Sequence, residues 1–158
     1  MRAILIASVA AILIDQISKW VVIHGMELWR VRSIDVLPPI LNFRYGENRG
    51  INFGLLDGQL NAWVLIGLAI AICVGVLVWL WRSPQPLLPR IAAGLLIGGA
   101  LGNVIDRLYY GYVLDFLNMS CCGINNPFVF NVADVFIFAG AIGLVLFADD
   151  KKRKEKGA

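Results

Sequence analysis

Four long apolar stretches divide the chain, at about residues 3–24, 60–81, 88–108 and 128–148. Each is close to the ~20 residues that carry a helix across a bilayer. Between the first two lies a longer amphipathic segment, about 25–59, in which Ile40-Leu-Asn-Phe-Arg-Tyr45 alternates and predicts a β-strand. Gly46, Gly50, Gly54 and Gly58 punctuate the remainder of that segment, predicting turns or a small sheet lying on the membrane. The link from Arg82 to Arg90 carries Pro84, Pro86 and Pro89 and reads as a short, stiff turn. Along the third stretch Gly94, Gly98 and Gly102 recur every fourth residue, lining up a groove that lets another backbone come close. Gly67, Ala71 and Gly75 repeat the pattern more weakly on the second stretch and predict a further packing surface. The expectation is an all-α membrane protein of one domain over 1–158, with four transmembrane helices and a small exterior β-rich loop region.

Composition strengthens that picture. Of the 158 residues 59% are hydrophobic and 16% charged, whereas soluble domains run nearer half and a quarter. The first stretch continues past Asp15 through Val21-Val22-Ile23, longer than a signal-peptide core, and no small-x-small cleavage site follows, so it reads as a retained span. With both termini on one side, eight Lys and Arg residues fall there and five on the other, while Lys19 lies within the first span. That asymmetry puts the termini in the cytoplasm. The basic tail (Lys151, Lys152, Arg153, Lys154, Lys156) abuts a span and reads as a solvated segment near anionic membrane lipid, not as a nucleic-acid site. Cys73, Cys121 and Cys122 form no disulfide framework, and the lone His24 leaves too few ligands for zinc.

Candidate chemistry lies in the polar residues embedded near these spans, where ionisable groups are costly and tend to mark a site. Asp15 and Lys19 are four apart on one helix face and can pair. Asn103 and Asp106, followed by Arg107, sit near the end of the third span; Asn131 and Asp134 repeat the spacing at the start of the fourth; Asp115 lies between. An outward third span and an inward fourth bring these residues to one membrane face, where the exterior loop adds Asn48 and Asn52. No serine or cysteine has a histidine to activate it. Two neighbouring carboxylates, by contrast, cannot both ionise, so one activates water while the other donates a proton, with neither metal nor cofactor. Asp115 and Asp134 lack a basic neighbour in sequence and are the better candidates for that pair. The alternative from spacing alone is structural: acids that fasten helices through Lys19 and Arg107.

At these residues the chain resembles lipoprotein signal peptidase (signal peptidase II) over nearly its whole length. Asp15-Gln-Ile-Ser-Lys19 is similar to that family's D-x-x-x-K, and Asn48-Arg-Gly50 with Phe53-Gly54 to its N-x-G-x-A-F. Gly102-Asn-Val-Ile-Asp-Arg107, Tyr112-Val-Leu-Asp-Phe116 and Phe130-Asn-Val-Ala-Asp134 resemble its G-N-x-x-D-R, V-x-D-F and F-N-x-A-D. The resemblance implies an aspartic endopeptidase of the bacterial cytoplasmic (inner) membrane. It would remove the signal peptide from a diacylglyceryl-modified prolipoprotein, just before the lipidated cysteine. Asp115 and Asp134 take the catalytic positions, Asn103, Asp106, Arg107 and Asn131 support them, and Asp15, Lys19, Asn48 and Gly50 line the substrate site. An exterior β-cradle and inhibition by globomycin-type peptides are implied as well. Asn52 stands where the family commonly has alanine, and the 120–127 linker follows no pattern of the family. The rival classes are a small transporter or channel subunit that relays ions through its carboxylates, and a non-enzymatic assembly factor. The crowding of acids at one face, not through the membrane depth, favours the peptidase.

Overall fold

The structure, a computed structural model, describes residues 1–50, 61–121, 123 and 126–148. Asn52, Gly54, Gly58, Cys122 and the basic tail lie outside these. In chain order the elements are α1 (Arg2–Lys19), continued by a π-helical segment Trp20–Gly25, then α2 (Leu28–Val31), β1 (Ser33–Leu37) and β2 (Leu41–Asn48). They are followed by α3 (Ala62–Arg82), α4 (Leu87–Tyr110), β3 (Val113–Asn118) and α5 (Val132–Phe147). Among the described residues three helical segments, Arg2–Gly25, Ala62–Arg82 and Leu87–Tyr110, are long and apolar enough to cross a membrane. The fourth stretch is shorter than the sequence predicts. It is helical for only 16 residues, because the chain through Pro127–Phe130 is extended and Asn131 starts the helix late.

Helix α4 is central, with α1 on one side and α5 on another, and glycine sets both distances. A methyl group on Gly94 would stand 2.7 Å from the Ile4 carbonyl oxygen, and one on Gly98 would stand 2.5 Å from that of Ser8. The Ser8 hydroxyl adds a bond across this seam, donating to the Gly94 carbonyl at 2.9 Å. Gly140 of α5 approaches Ala92 and Leu96 as closely. The groove read on the third span is therefore the α1–α4 seam. The weaker pattern on the second span is a correction: among the described residues Gly67 and Gly75 meet nothing within 4 Å, and Ala71 is exposed. Helix α3 instead turns Leu65, Cys73 and Leu80 inward. In a membrane, small residues do not by themselves identify a protein-facing side, since lipid accepts them too.

The sheet is three-stranded and antiparallel in the order β1-β2-β3. The strand predicted at 40–45 extends to Asn48, carries Gly46 inside it and not in a turn, and pairs with two strands the sequence reading did not assign. Strand β3 is brought back by Gly111, whose φ of +82° ends α4 in the left-handed conformation that suits glycine. Phe43 and Phe116 meet edge to face with centroids 5.7 Å apart. Together with Val22, Ile23, Leu28 and Leu114 they seal the sheet onto the end of the first helical segment. This cluster fixes β3 over the start of α5, which is where the acids lie.

Candidate active site

Asp115 enters from β3 and Asp134 from the first turn of α5; they are 2% and 3% exposed. Asn131 joins them. Its side-chain oxygen accepts from the Asp134 backbone N–H at 2.9 Å, and the Asp134 carboxylate accepts from the Asn131 N–H at 3.3 Å. That reciprocal capping box explains why the helix begins here. The same Asn131 donates its Nδ2 to Asp115 Oδ1 at 2.6 Å and to Asn103 Oδ1 at 3.2 Å. Asn103 donates in turn to Asp134 Oδ1 at 2.9 Å. Asn48 of β2 donates to Asp115 Oδ2 at 3.1 Å and accepts from the Gly50 N–H at 3.1 Å. Three amides thus orient two carboxylates.

Arg107 closes this layer. It donates to the Gly50 carbonyl at 2.9 Å and to that of Asn103 at 3.4 Å. Its positive charge acts on Asp134, Asp115 and Asp106. Burial, and after it the negative charge of Asp134, push the Asp115 carboxyl from 3.8 up to about 8, against the opposing pull of the Asn131 and Asn48 amides. A carboxyl in that range holds a proton near neutral pH while a neighbouring carboxylate is charged.

A second buried layer lies beneath. Lys19 Nζ sits 2.8 Å from Asp15 Oδ2 and 2.7 Å from Asp106 Oδ2, with all three residues at 3% exposure or less. The spacing-based pairing of Asp15 with Lys19 is present, but Asp106 turns to Lys19 and not to its neighbour Arg107. Asp106 also accepts the Leu114 backbone N–H at 3.1 Å, and Asp15 accepts that of Ala133 at 2.9 Å. Leu114 and Ala133 each immediately precede one acid of the pair. The triad therefore grips both backbones that carry Asp115 and Asp134, which gives Asp15 and Lys19 a holding position under the pair. Sequence reasoning missed Gln16, whose Nε2 reaches Asp106 Oδ1 at 2.9 Å and Asp15 Oδ2 at 3.1 Å. A polar side chain inside an apolar run was the available signal. It also missed Asn118, which holds the Asn126 and Phe128 carbonyls at 2.8 Å each and so shapes the segment beside Asp115.

Two openings reach the pair. A cleft of about 160 Å³ touches Asp115 and is lined by Gly46, Asn48, Pro127 and Phe128. An apolar groove of about 370 Å³ leaves Asp134 along Val135, Phe138 and Ile142 of α5. Among the described residues no group of His, Cys, Asp and Glu has the arrangement to hold a metal ion.

A helical membrane protein with a carboxylate pair under a small sheet is the class these elements define. The chain matches the family described as signal peptidase (SPase) II across residues 7–148. It is 43% identical over 158 residues to a lipoprotein signal peptidase of Alteromonas mediterranea, covering 96% of this chain and 84% of that one. It is 41% identical over 152 residues to the lipoprotein signal peptidase of Methylorubrum extorquens, covering 92% and 84%. A solved structure of a bacterial membrane enzyme superposes with a TM-score of 0.80 at 27% identity, covering 98% of this chain and 92% of the other. The chain belongs to the signal peptidase II family and is a membrane-bound protease.

Proposed function

We propose that this protein is an aspartic endopeptidase that cleaves diacylglyceryl-modified prolipoproteins just before the lipidated cysteine, using Asp115 and Asp134. The observation that carries the reading is Asn131, a single side chain bonded to Asp115 and capping with Asp134. One carboxylate takes a proton from water as the water oxygen attacks the scissile carbonyl carbon. The protonated partner donates to the carbonyl oxygen. Collapse of the tetrahedral intermediate breaks the C–N bond, and the proton gained from water passes to the leaving amine. Asn103, Asn48 and Asn131 hold the two carboxyls in their separate roles. The Arg107 bond to Gly50 ties the loop after β2 to the same layer.

The two openings suit a substrate with a peptide end and a lipid end. The cleft at Asp115 accepts extended chain, and the apolar groove at Asp134 accepts acyl chains or the apolar part of a signal peptide. In this reading α5 is a fourth span, both termini are cytoplasmic and the pair faces the exterior side of the bacterial inner membrane. Globomycin-type peptides compete at the same place. The test is cleavage of a prolipoprotein with and without its diacylglyceryl group by purified protein in lipid. Cleavage before the cysteine only in the lipidated form is the expected result, lost in both Asp115→Asn and Asp134→Asn. Normal processing by either variant sinks the assignment of the pair, and ion flux without cleavage points to a transporter instead.

A further inference from the structure

At the end of the bundle far from the carboxylate pair, the turn between α3 and α4 encloses a pocket of about 250 Å³ lined by Ile4, Leu80, Trp81, Pro84, Gln85 and Arg90. Arg90 and Asp106 are sixteen residues apart on α4, roughly 24 Å at helical rise, so this pocket is separate from the site above. Three observations there share one cause. Gln85 is 8% exposed; its side-chain nitrogen donates to Ser83, yet its buried Oε1 has no hydrogen-bond partner among the described residues. A buried acceptor in that condition is costly unless a donor arrives. Arg90 lines the same pocket with its charge unpaired: among the described residues no carboxylate bridges it, and its Nε folds back to the Pro86 carbonyl at 3.2 Å. Helix α4 starts here at Leu87, after Pro86, with no side-chain cap among the described residues, so the positive end of its dipole also faces this region.

A ligand that would answer these groups is an anion that carries hydrogen-bond donors and lies next to apolar surface. Trp81, an indole suited to the membrane interface, and the aliphatic Ile4 and Leu80 supply that surface. We propose that this pocket binds the headgroup of an anionic phospholipid bearing free hydroxyls, with the phosphodiester at Arg90 and the start of α4. A headgroup hydroxyl donates to Gln85 Oε1. The proposal rests on the bundle lying in a membrane and not on the peptidase assignment.

The test is native mass spectrometry of the full chain taken from mixed micelles of phosphatidylglycerol, phosphatidylmethanol and phosphatidylcholine. Wild-type protein retains phosphatidylglycerol over both others. Arg90→Gln lowers its retention relative to phosphatidylcholine about tenfold, the loss of one charge-assisted bond. Gln85→Leu keeps the preference for charge but loses that for phosphatidylglycerol over phosphatidylmethanol, which has no hydroxyl. Arg82→Gln, a change just outside the pocket, leaves the ratios as they were. Equal retention by wild type and Arg90→Gln overturns the proposal, as does an equal loss in Arg82→Gln, which would mean diffuse charge attraction. Displacement of the lipid by glycerol 3-phosphate at comparable concentration overturns the lipid in favour of a soluble phosphate ester.

Discussion

The chain contains the step Asn-x-x-Asp twice, and the two copies do different work. In α5, Asn131 and Asp134 form a capping box at the first turn, so the acid faces the start of its own helix and the neighbouring Asp115. In α4, Asn103 and Asp106 lie inside a continuous helix, where neither caps anything. Asn103 reaches across to Asp134, whereas Asp106 turns to Lys19 on α1 and to the Leu114 backbone. Identical spacing thus gives one acid beside Asp115 at the head of an apolar groove and another bonded to a lysine. On the proposed assignment, what separates the reacting carboxylate from the holding one is a directly bonded cation. The ammonium 2.7 Å from Asp106 favours its charged form and weakens it as a base.

Exchanging charge for amide at each step breaks the comparison where it is most exposed. Asp134→Asn is expected to lower cleavage by about 10²–10⁴-fold, the range for loss of an acid–base group, with insertion and thermal unfolding little changed. Asp106→Asn is expected to leave measurable turnover and to lower the unfolding temperature. Turnover rates and unfolding curves on both variants decide it, and comparable activity in the two would end the distinction. Lys19→Met strands two buried carboxylates and is expected to destabilise by about 3–5 kcal/mol, read by denaturation in detergent; a stable variant would mean that the triad holds nothing. Asn131→Ala removes a cap and is expected to cost about 1 kcal/mol as well as turnover. Asn103→Ala, which takes a partner from Asp134 and Asn131, is expected to lower both turnover and the unfolding temperature.

The same comparison extends to pH. Asp115 is raised from 3.8 to about 8 in the fold. The folded state therefore binds the proton more tightly, and that contribution is full below pH 3.8 and lost as pH rises through 8. Thermal unfolding followed across that window should show wild type losing stability toward alkaline pH, and Asp115→Asn following a flatter line. On the proposed mechanism, cleavage should fall above about pH 8, as Asp115 gives up its proton.

Much of this is legible in the sequence. Apolar length locates the helices, and ordered motifs name every acid of the site. Non-local pairing is not legible. Strand β3 reads in sequence as a short apolar run, Val113–Asn118, and only pairing with Asn42–Asn48 makes it a strand. Asp106 sits beside Arg107 in sequence, but side chains at i and i+1 do not face each other on a helix, so its partner comes from another helix. Gln16 is hidden by the same limit. The glycine pattern on α3 misleads because periodicity reports a face and not what covers it.

Asn131 has one more consequence, in the order of synthesis. It caps α5 and also bonds Asp115, so one side chain ties the start of that helix to β3. While a ribosome is still delivering the earlier helices, Asp115 has neither this amide nor its partner acid. On the proposed assignment of Asp115 and Asp134, a nascent chain has no assembled pair until α5 has folded.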